Sequence, residues 1–252
     1  MKTLHAVTTE EVAGMILGED FISPNEVIKA WGLSYADADL KHFADTMPSI
    51  ELLRWCKGNN YAVVPGPPTP MGLLEVRSLK PDHFYSETGG WYEKYTFSSY
   101  DKAKSDWLAI RKRPVSNSMD KRWNYQLRLL TKDEQIPNAG EISWFITTFC
   151  EVRSVRMFEH IYVRTSSVAL DNGCVIVGFF VLGGLRIIDG KNSLHFINNL
   201  RERSIGLNQI VSNPQTFSIL NITLGTQIRQ NNNFCFRPSF HPPDLSQNLK
   251  TV

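Results

Sequence analysis

Arginine and lysine hold phosphates, and aromatic rings give bases a surface to stack on. One stretch of this chain sets both residue types at regular spacing: Trp107 to Leu130, WLAIRKRPVSNSMDKRWNYQLRLL. From Lys102 to Arg128, eight Lys and Arg stand against Asp106 and Asp120, a local charge of +6. As a strand, alternation puts Leu108 and Ile110 on one face and Trp107, Ala109 and Arg111 on the other, with Arg113 just beyond. As a helix after Pro114, Met119, Trp123, Leu127 and Leu130 form an apolar stripe. Lys121, Tyr125, Arg128 and Lys132 then recur on the opposite side. The predicted contact surface is Trp107, Arg111, Arg113, Lys121, Tyr125 and Arg128, with phosphates on the cations and bases on Trp107 or Tyr125. Arg164 and Arg186 extend it if their face of the sheet is open. The competing description is a solvated helix face beside a half-buried tryptophan.

Catalytic chemistry has fewer candidates. His83 lies beside Asp82 with Tyr85 and Glu87 near, a polar cluster suited to a divalent ion or a general base. The competing description is a hydrogen-bonded structural histidine. Cys150 with His160 has the residue types of a thiolate pair, yet Cys150 falls at the edge of a buried helical arc, which favours an inert core thiol. No HExxH, GxSxG, phosphate-loop or dinucleotide fingerprint occurs, so no cofactor and no metal are expected. The function expected is therefore a non-enzymatic binding module that contacts nucleic acid, or another phosphate-bearing or acidic partner. Its rival is a hydrolase-like enzyme with a site near His83.

Composition narrows the class. A chain of 252 residues, 42% hydrophobic, has material for a sizeable core without disulfides. A net charge of +2 is too mild to imply nucleic acid or acidic membranes except through local clustering. Cys56, Cys150, Cys174 and Cys235 are scattered with no CxxC pair, which fits neither a zinc site nor a disulfide framework and points to a reducing cytoplasm. No apolar leader follows Lys2 before Glu10 and Glu11, so no secretory signal is expected. The longest apolar run, Cys174 to Leu185, falls well short of the roughly 20 residues of a membrane-spanning helix.

The elements that must position these residues read as α+β: short N-terminal helices, then two central helices packed on an antiparallel β-meander. Residues 1–60 form a helical subdomain. Thr8 with Glu11 and Ser23 with Glu26 make capping boxes, helices run over about 36–46 and 50–57, and Gly32 and Gly58 mark helix ends. Residues 61–189 form the α+β core. It holds a strand at Tyr61–Val64, a proline elbow over 65–70 with PxxP spacing, and a helical stretch within Met71–Leu79. A helix starts after Asn138 and runs to about Arg153, with Ile142, Phe145, Ile146 and Phe149 on its buried face. The meander follows at 161–168, 174–181 and 185–188, turning at Asn172-Gly173 and Gly183-Gly184. Two-residue hairpins there set Arg164, Val181 and Arg186 side by side. Residues 190–252 carry ten asparagines, six bases and only Glu202 and Asp244 as acids; they form an extension with one or two strands within 205–228 and an extended end.

Trp107-Leu-Ala-Ile-Arg-Lys112, followed by Pro114-Val115 and Asn117-Ser118, resembles a block shared by a group of uncharacterised bacterial proteins. Trp123 with Gln126 and Leu129-Leu130, then Ile136-Pro-Asn-Ala139 and Val163-Arg-Thr-Ser-Ser167, continue the likeness, which spans about Phe21 to Ile188. The resemblance implies no activity, cofactor or catalytic residue.

Overall fold

Four capped helices open the chain in the computed structural model, which describes residues 8–85, 89–169, 173–181, 184–190, 205–207 and 210–211. Helix α1 spans Thr9–Leu17, α2 Pro24–Trp31, α3 Asp37–Asp45 and α4 Ile50–Gly58. Both expected capping boxes form. Thr8 Oγ1 accepts the Glu11 N–H at 3.2 Å while Glu11 accepts the Thr8 N–H at 2.7 Å, and Ser23 with Glu26 repeats the exchange. Each cap is worth about 1 kcal/mol to a helix too short to persist alone. Gly32 ends α2 in the left-handed region at φ 69°, whereas after α4 that conformation falls to Asn60 at φ 61°.

Strand β1 (Tyr61–Pro65) pairs antiparallel with β2 (Trp107–Arg111), from Tyr61 opposite Arg111 to Pro65 opposite Trp107. All of β1 and four of the five β2 residues are buried, so this ladder is covered on both faces. The proline elbow is part of that core. Pro65, Gly66 and Pro67 are buried, and Tyr35 Oη donates to the Gly66 carbonyl at 2.6 Å, so the PxxP spacing is not displayed as a free ligand. Gly66 is required there, because an added Cβ would stand 1.8 Å from the Lys104 carbonyl oxygen.

Helices α5 (Leu73–Leu79), α6 (Phe97–Tyr100) and α7 (Trp123–Leu127) lead to α8 (Ala139–Arg153), the longest helix described. Alongside the expected face of Ile142, Phe145, Ile146 and Phe149, the opposite side of α8 is buried as well. Trp144 stacks on Trp31 with centroids 4.6 Å apart and donates its indole N–H to the Pro65 carbonyl at 2.8 Å. Thus α2 covers the flank of α8 that periodicity left unassigned.

Strands β4 (Tyr162–Val168), β5 (Cys174–Val181) and β6 (Gly184–Asp189) make the antiparallel meander, and α8 packs on the side carrying Val163, Val175, Val177, Leu185 and Ile187. Its register departs from two-residue hairpins. Arg164 lies opposite Ile176 and Arg186 opposite Gly178, so neither arginine is a neighbour of Val181. Each ladder has its own irregularity: β4–β5 shifts register between Arg164 and Val168, and β5–β6 shifts at a bulge between Gly178 and Phe180, where Phe179 takes φ 54°. Gly178 permits the bulge at φ 129°, where a Cβ would meet the Ile161 carbonyl at 2.4 Å. Of the expected turn residues, Asn172 and Gly183 lie outside the described residues.

Two strands of the C-terminal extension are described. Strand β7 (Ile205–Leu207) runs parallel to β4, and β8 (Ile210–Val211) lies between β2 and β3 (Glu134–Gln135). The sheet orders are β1-β2-β8-β3 and β6-β5-β4-β7. Further strand up to 228 and the extended end expected at 237–243 lie outside the described residues. One buried apolar cluster reaches from Ala13 to Ile187, drawing on the N-terminal helices, β1, β2, α8 and the meander alike.

Candidate functional site

The basic stretch between β2 and β3 folds around an apolar cluster of its own. Val115 and Ile136 are buried there, with Trp123, Leu129 and Leu130 packed against them. The helix expected from Met119 to Leu130 is reduced to the five residues of α7. Asn117 and Asp120 sit at φ 63° and 56°, which no continuing helix tolerates. Within α7 the polar Gln126 takes the inward position, completely buried, while Leu127 is 37% exposed. Hydrogen bonding explains the inversion. Gln126 Nε2 donates to the Ser118 carbonyl at 2.6 Å, and Gln126 Oε1 accepts from Arg164.

Arg164 consequently works as a clamp rather than as part of an open surface, a correction to the expectation from alternation. Its guanidinium also donates to the Lys121 carbonyl at 3.0 Å and lies 5.8 Å from the centroid of the Trp123 ring. Burial pulls its pKa below the ordinary arginine value. Arg186 stands over Tyr85, with its guanidinium 5.3 Å from that ring's centroid.

Trp107 is corrected likewise. It is 2% exposed, donates its indole N–H to the Phe43 carbonyl at 3.0 Å and packs edge-on against Phe43 at 5.2 Å, so no base can stack on it. Arg111 is half-buried, 5.6 Å from the Tyr61 ring centroid, with Nε donating to the Asn59 carbonyl at 3.4 Å. Its neighbour Lys112 is held by both carboxylate oxygens of Asp20 at 2.7 and 2.8 Å.

What remains on the surface is a smaller and better-defined patch. Arg113, Lys121, Tyr125 and Arg128 are exposed, as are Arg122 and Lys132. None of the five cations is ion-paired with a described residue. Arg122 went unselected because an α-helical stripe skips it. Arg122 is the N-cap of α7, with extended backbone at ψ 148°, and its carbonyl accepts both the Tyr125 N–H at 3.0 Å and the Gln126 N–H at 3.1 Å. Trp123, Gln126 and Leu129 face the interior of this segment.

The His83 region is organised differently from the cluster read in the sequence. Its Nε2 meets Glu151 Oε1 on α8 at 2.5 Å, and Lys80 pairs with the other oxygen of that carboxylate. Lys80 Nζ also lies 5.5 Å from the Trp31 ring centroid. Burial acts to raise the Glu151 pKa, but hydrogen bonds from Lys80 and His83 outweigh it and hold the carboxyl below its usual value. Asp82 points to solvent, and Glu87 lies outside the described residues. Among the described residues, no group of three His, Cys, Asp or Glu is arranged to hold a metal ion. His83 thus has the place of a tie between the end of α5 and α8. Cys150 and His160 do not pair: burial raises the Cys150 thiol above its ordinary pKa, and His160 is 84% exposed beside Glu159.

No helix of the described residues is long and apolar enough to cross a membrane. Compared with family models, curated proteins and solved structures, the chain matches none.

Proposed function

We propose that this protein is a non-enzymatic binding module for a phosphate-bearing polymer, nucleic acid being the partner its surface chemistry suits best. The observation that carries the reading is the set Arg113, Lys121, Arg122, Arg128 and Lys132. All five are exposed on one small folded segment, without an ion-pair partner among the described residues, and Tyr125 stands exposed between them. Solvated cations that offset no acid among the described residues gain most from a polyanion, because binding releases its condensed counterions. The segment is also pre-ordered by Arg164 and Gln126, which lowers the entropy lost on binding.

The test is a titration of the protein with a labelled oligonucleotide at several salt concentrations. Five phosphate contacts on a single strand give a log–log salt slope of about −3.5, and so about a hundred-fold weakening between 50 and 200 mM salt. Absence of binding at the lowest salt, or a flat slope, rejects the nucleic-acid reading.

A further inference from the structure

We infer that strands β7 and β8 form a regulatory strap for the phosphate site: their seating orders the cations, and a bound polyanion in turn holds the strap in its seat. The inference rests on the phosphate-binding reading above and adds the element that controls the site. All five exposed cations, Arg113, Lys121, Arg122, Arg128 and Lys132, lie in the stretch 112–133 between the end of β2 and the start of β3. Closing a stretch of that length costs entropy, so the order of its cations depends on how its ends are tied. Strand β8 supplies the tie. Val211 lies opposite both Ala109 of β2 and Glu134 of β3, and Ile210 opposite both Ile110 and Gln135, so one dipeptide bridges the entry and the exit of the stretch. Strand β7 reaches a third anchor. Leu207 is paired with Arg164 of β4, whose guanidinium holds Gln126 and the Lys121 carbonyl inside the stretch. Only Asn208 and Gln209 separate β7 from β8 in the sequence, so a single run meets all three anchors.

The strap opens more readily than the fold around it. Ile205, Ile210 and Val211 are β-branched residues suited to strands, but β7 is only three residues long and β8 two. Ladders so short open at a free energy below that of the whole fold, whereas β1, α8 and the inner face of the meander share the large apolar cluster. Opening therefore loosens the cations without unfolding the protein. The stretch keeps part of its order. Glu134 also accepts the Tyr61 hydroxyl at 2.5 Å, and Val115 and Ile136 retain their own cluster. The consequence is a graded change in affinity rather than a loss of binding. Linkage fixes its size from both sides, because the factor by which seating favours the polyanion equals the factor by which the polyanion favours seating.

The experiment measures hydrogen exchange and affinity on the full chain, with inorganic polyphosphate and a labelled oligonucleotide as probes. Saturating polyphosphate is expected to slow exchange about five-fold or more at those amides of Ala109, Ile110, Glu134, Gln135, Ile210 and Val211 that bond across the β8 ladders. Exchange in β5 and α8 is expected to stay as it was. Ile210→Pro, which removes a backbone donor from β8, is expected to weaken binding of both probes by the same factor as that slowing, with circular dichroism and α8 exchange retained. Should this variant fail to fold, the wild-type exchange measurement decides alone. Unchanged exchange across the β8 ladders, while polyphosphate binds with a salt-dependent affinity, overturns the strap and leaves the phosphate reading standing. A folded Ile210→Pro variant that binds as tightly as the wild type overturns the strap as well. If the wild type binds neither probe, both readings are wrong.

Discussion

Arg164→Ala removes the side chain that fastens the basic segment to the meander, and its cost follows from what is left behind. Gln126 Oε1 loses its donor inside a site where Gln126 is fully buried, and the Lys121 carbonyl loses a 3.0 Å hydrogen bond. A buried acceptor left unpaired costs about 1–3 kcal/mol, and the lost contact with the Trp123 ring about 0.5–1 kcal/mol. Release of a desolvated guanidinium, whose pKa is lowered by burial, offsets part of this. The net expectation is a destabilisation of about 2–3 kcal/mol. Denaturant titration followed by tryptophan fluorescence measures it, and amide exchange shows where it falls. Protection should drop across 115–130 while β1 and α8, which belong to the larger cluster, stay protected. The double variant Arg164→Met, Gln126→Leu replaces both partners with apolar groups and should recover most of the loss, since the Ser118 carbonyl keeps the Lys121 N–H. A loss under about 0.5 kcal/mol for Arg164→Ala, or exchange spread evenly over β1 and α8, would refute the assignment of Arg164 as the local clamp.

Three further outcomes separate scaffold from surface. Trp107→Phe should cost about 2–4 kcal/mol, from the smaller ring and the unpaired Phe43 carbonyl, yet leave oligonucleotide affinity unchanged; a specific loss of affinity in a stably folded variant would return Trp107 to the binding surface. Glu151→Gln should cost on the order of 1–3 kcal/mol at neutral pH. Because the folded carboxyl lies below its ordinary value of 4.5, its stabilisation is full above that value and vanishes as pH falls through the folded pKa. Unfolding curves of wild type and Glu151→Gln should therefore converge in acid, and a gap that persists there would contradict the tie. Ile210→Pro removes a backbone donor from a strand paired on both sides, and hydrogen exchange should rise at Ala109 and Ile110 and at Glu134 and Gln135; unchanged protection would show that β8 does not brace the two ends of the basic segment.

Local signals translated well into local structure. Thr8, Ser23, Ser49 and Asn138 each accept a backbone N–H at a helix start, because capping involves only residues three apart. The ranges of β1, β2 and the three meander strands were likewise legible from alternation and turn residues. What failed were the inferences about which face meets solvent at Trp107, Arg111, Gln126 and Leu127, whereas Lys121, Tyr125 and Arg128 are exposed as their spacing predicts. Alternation in β2 assigned Trp107 and Arg111 to an open side, but Phe43 of α3 lies against Trp107 and closes it. Helical periodicity favoured Leu127 over Gln126 for the interior, since no periodic rule foresees a carbonyl at Ser118 and a guanidinium from β4 meeting one amide.

The sequence by itself therefore determined the α+β class, the caps, most strand ranges and the concentration of positive charge between Lys102 and Arg128, all properties of composition and short spacing. Tertiary structure alone decided which of those charges remain free. Arg111, Lys112 and Arg164 are engaged by Tyr61, Asp20 and Gln126, partners 38 to 92 residues away for the latter two, so their fate depends on contacts invisible at short range. Tertiary structure likewise turned Gln126 rather than Leu127 to the interior, through the Ser118 carbonyl and Arg164. The physical reason is common to both. Spacing along a chain governs which side chains share an element's face, whereas burial and hydrogen-bond satisfaction, contributed by distant segments, govern which of those faces is left to water.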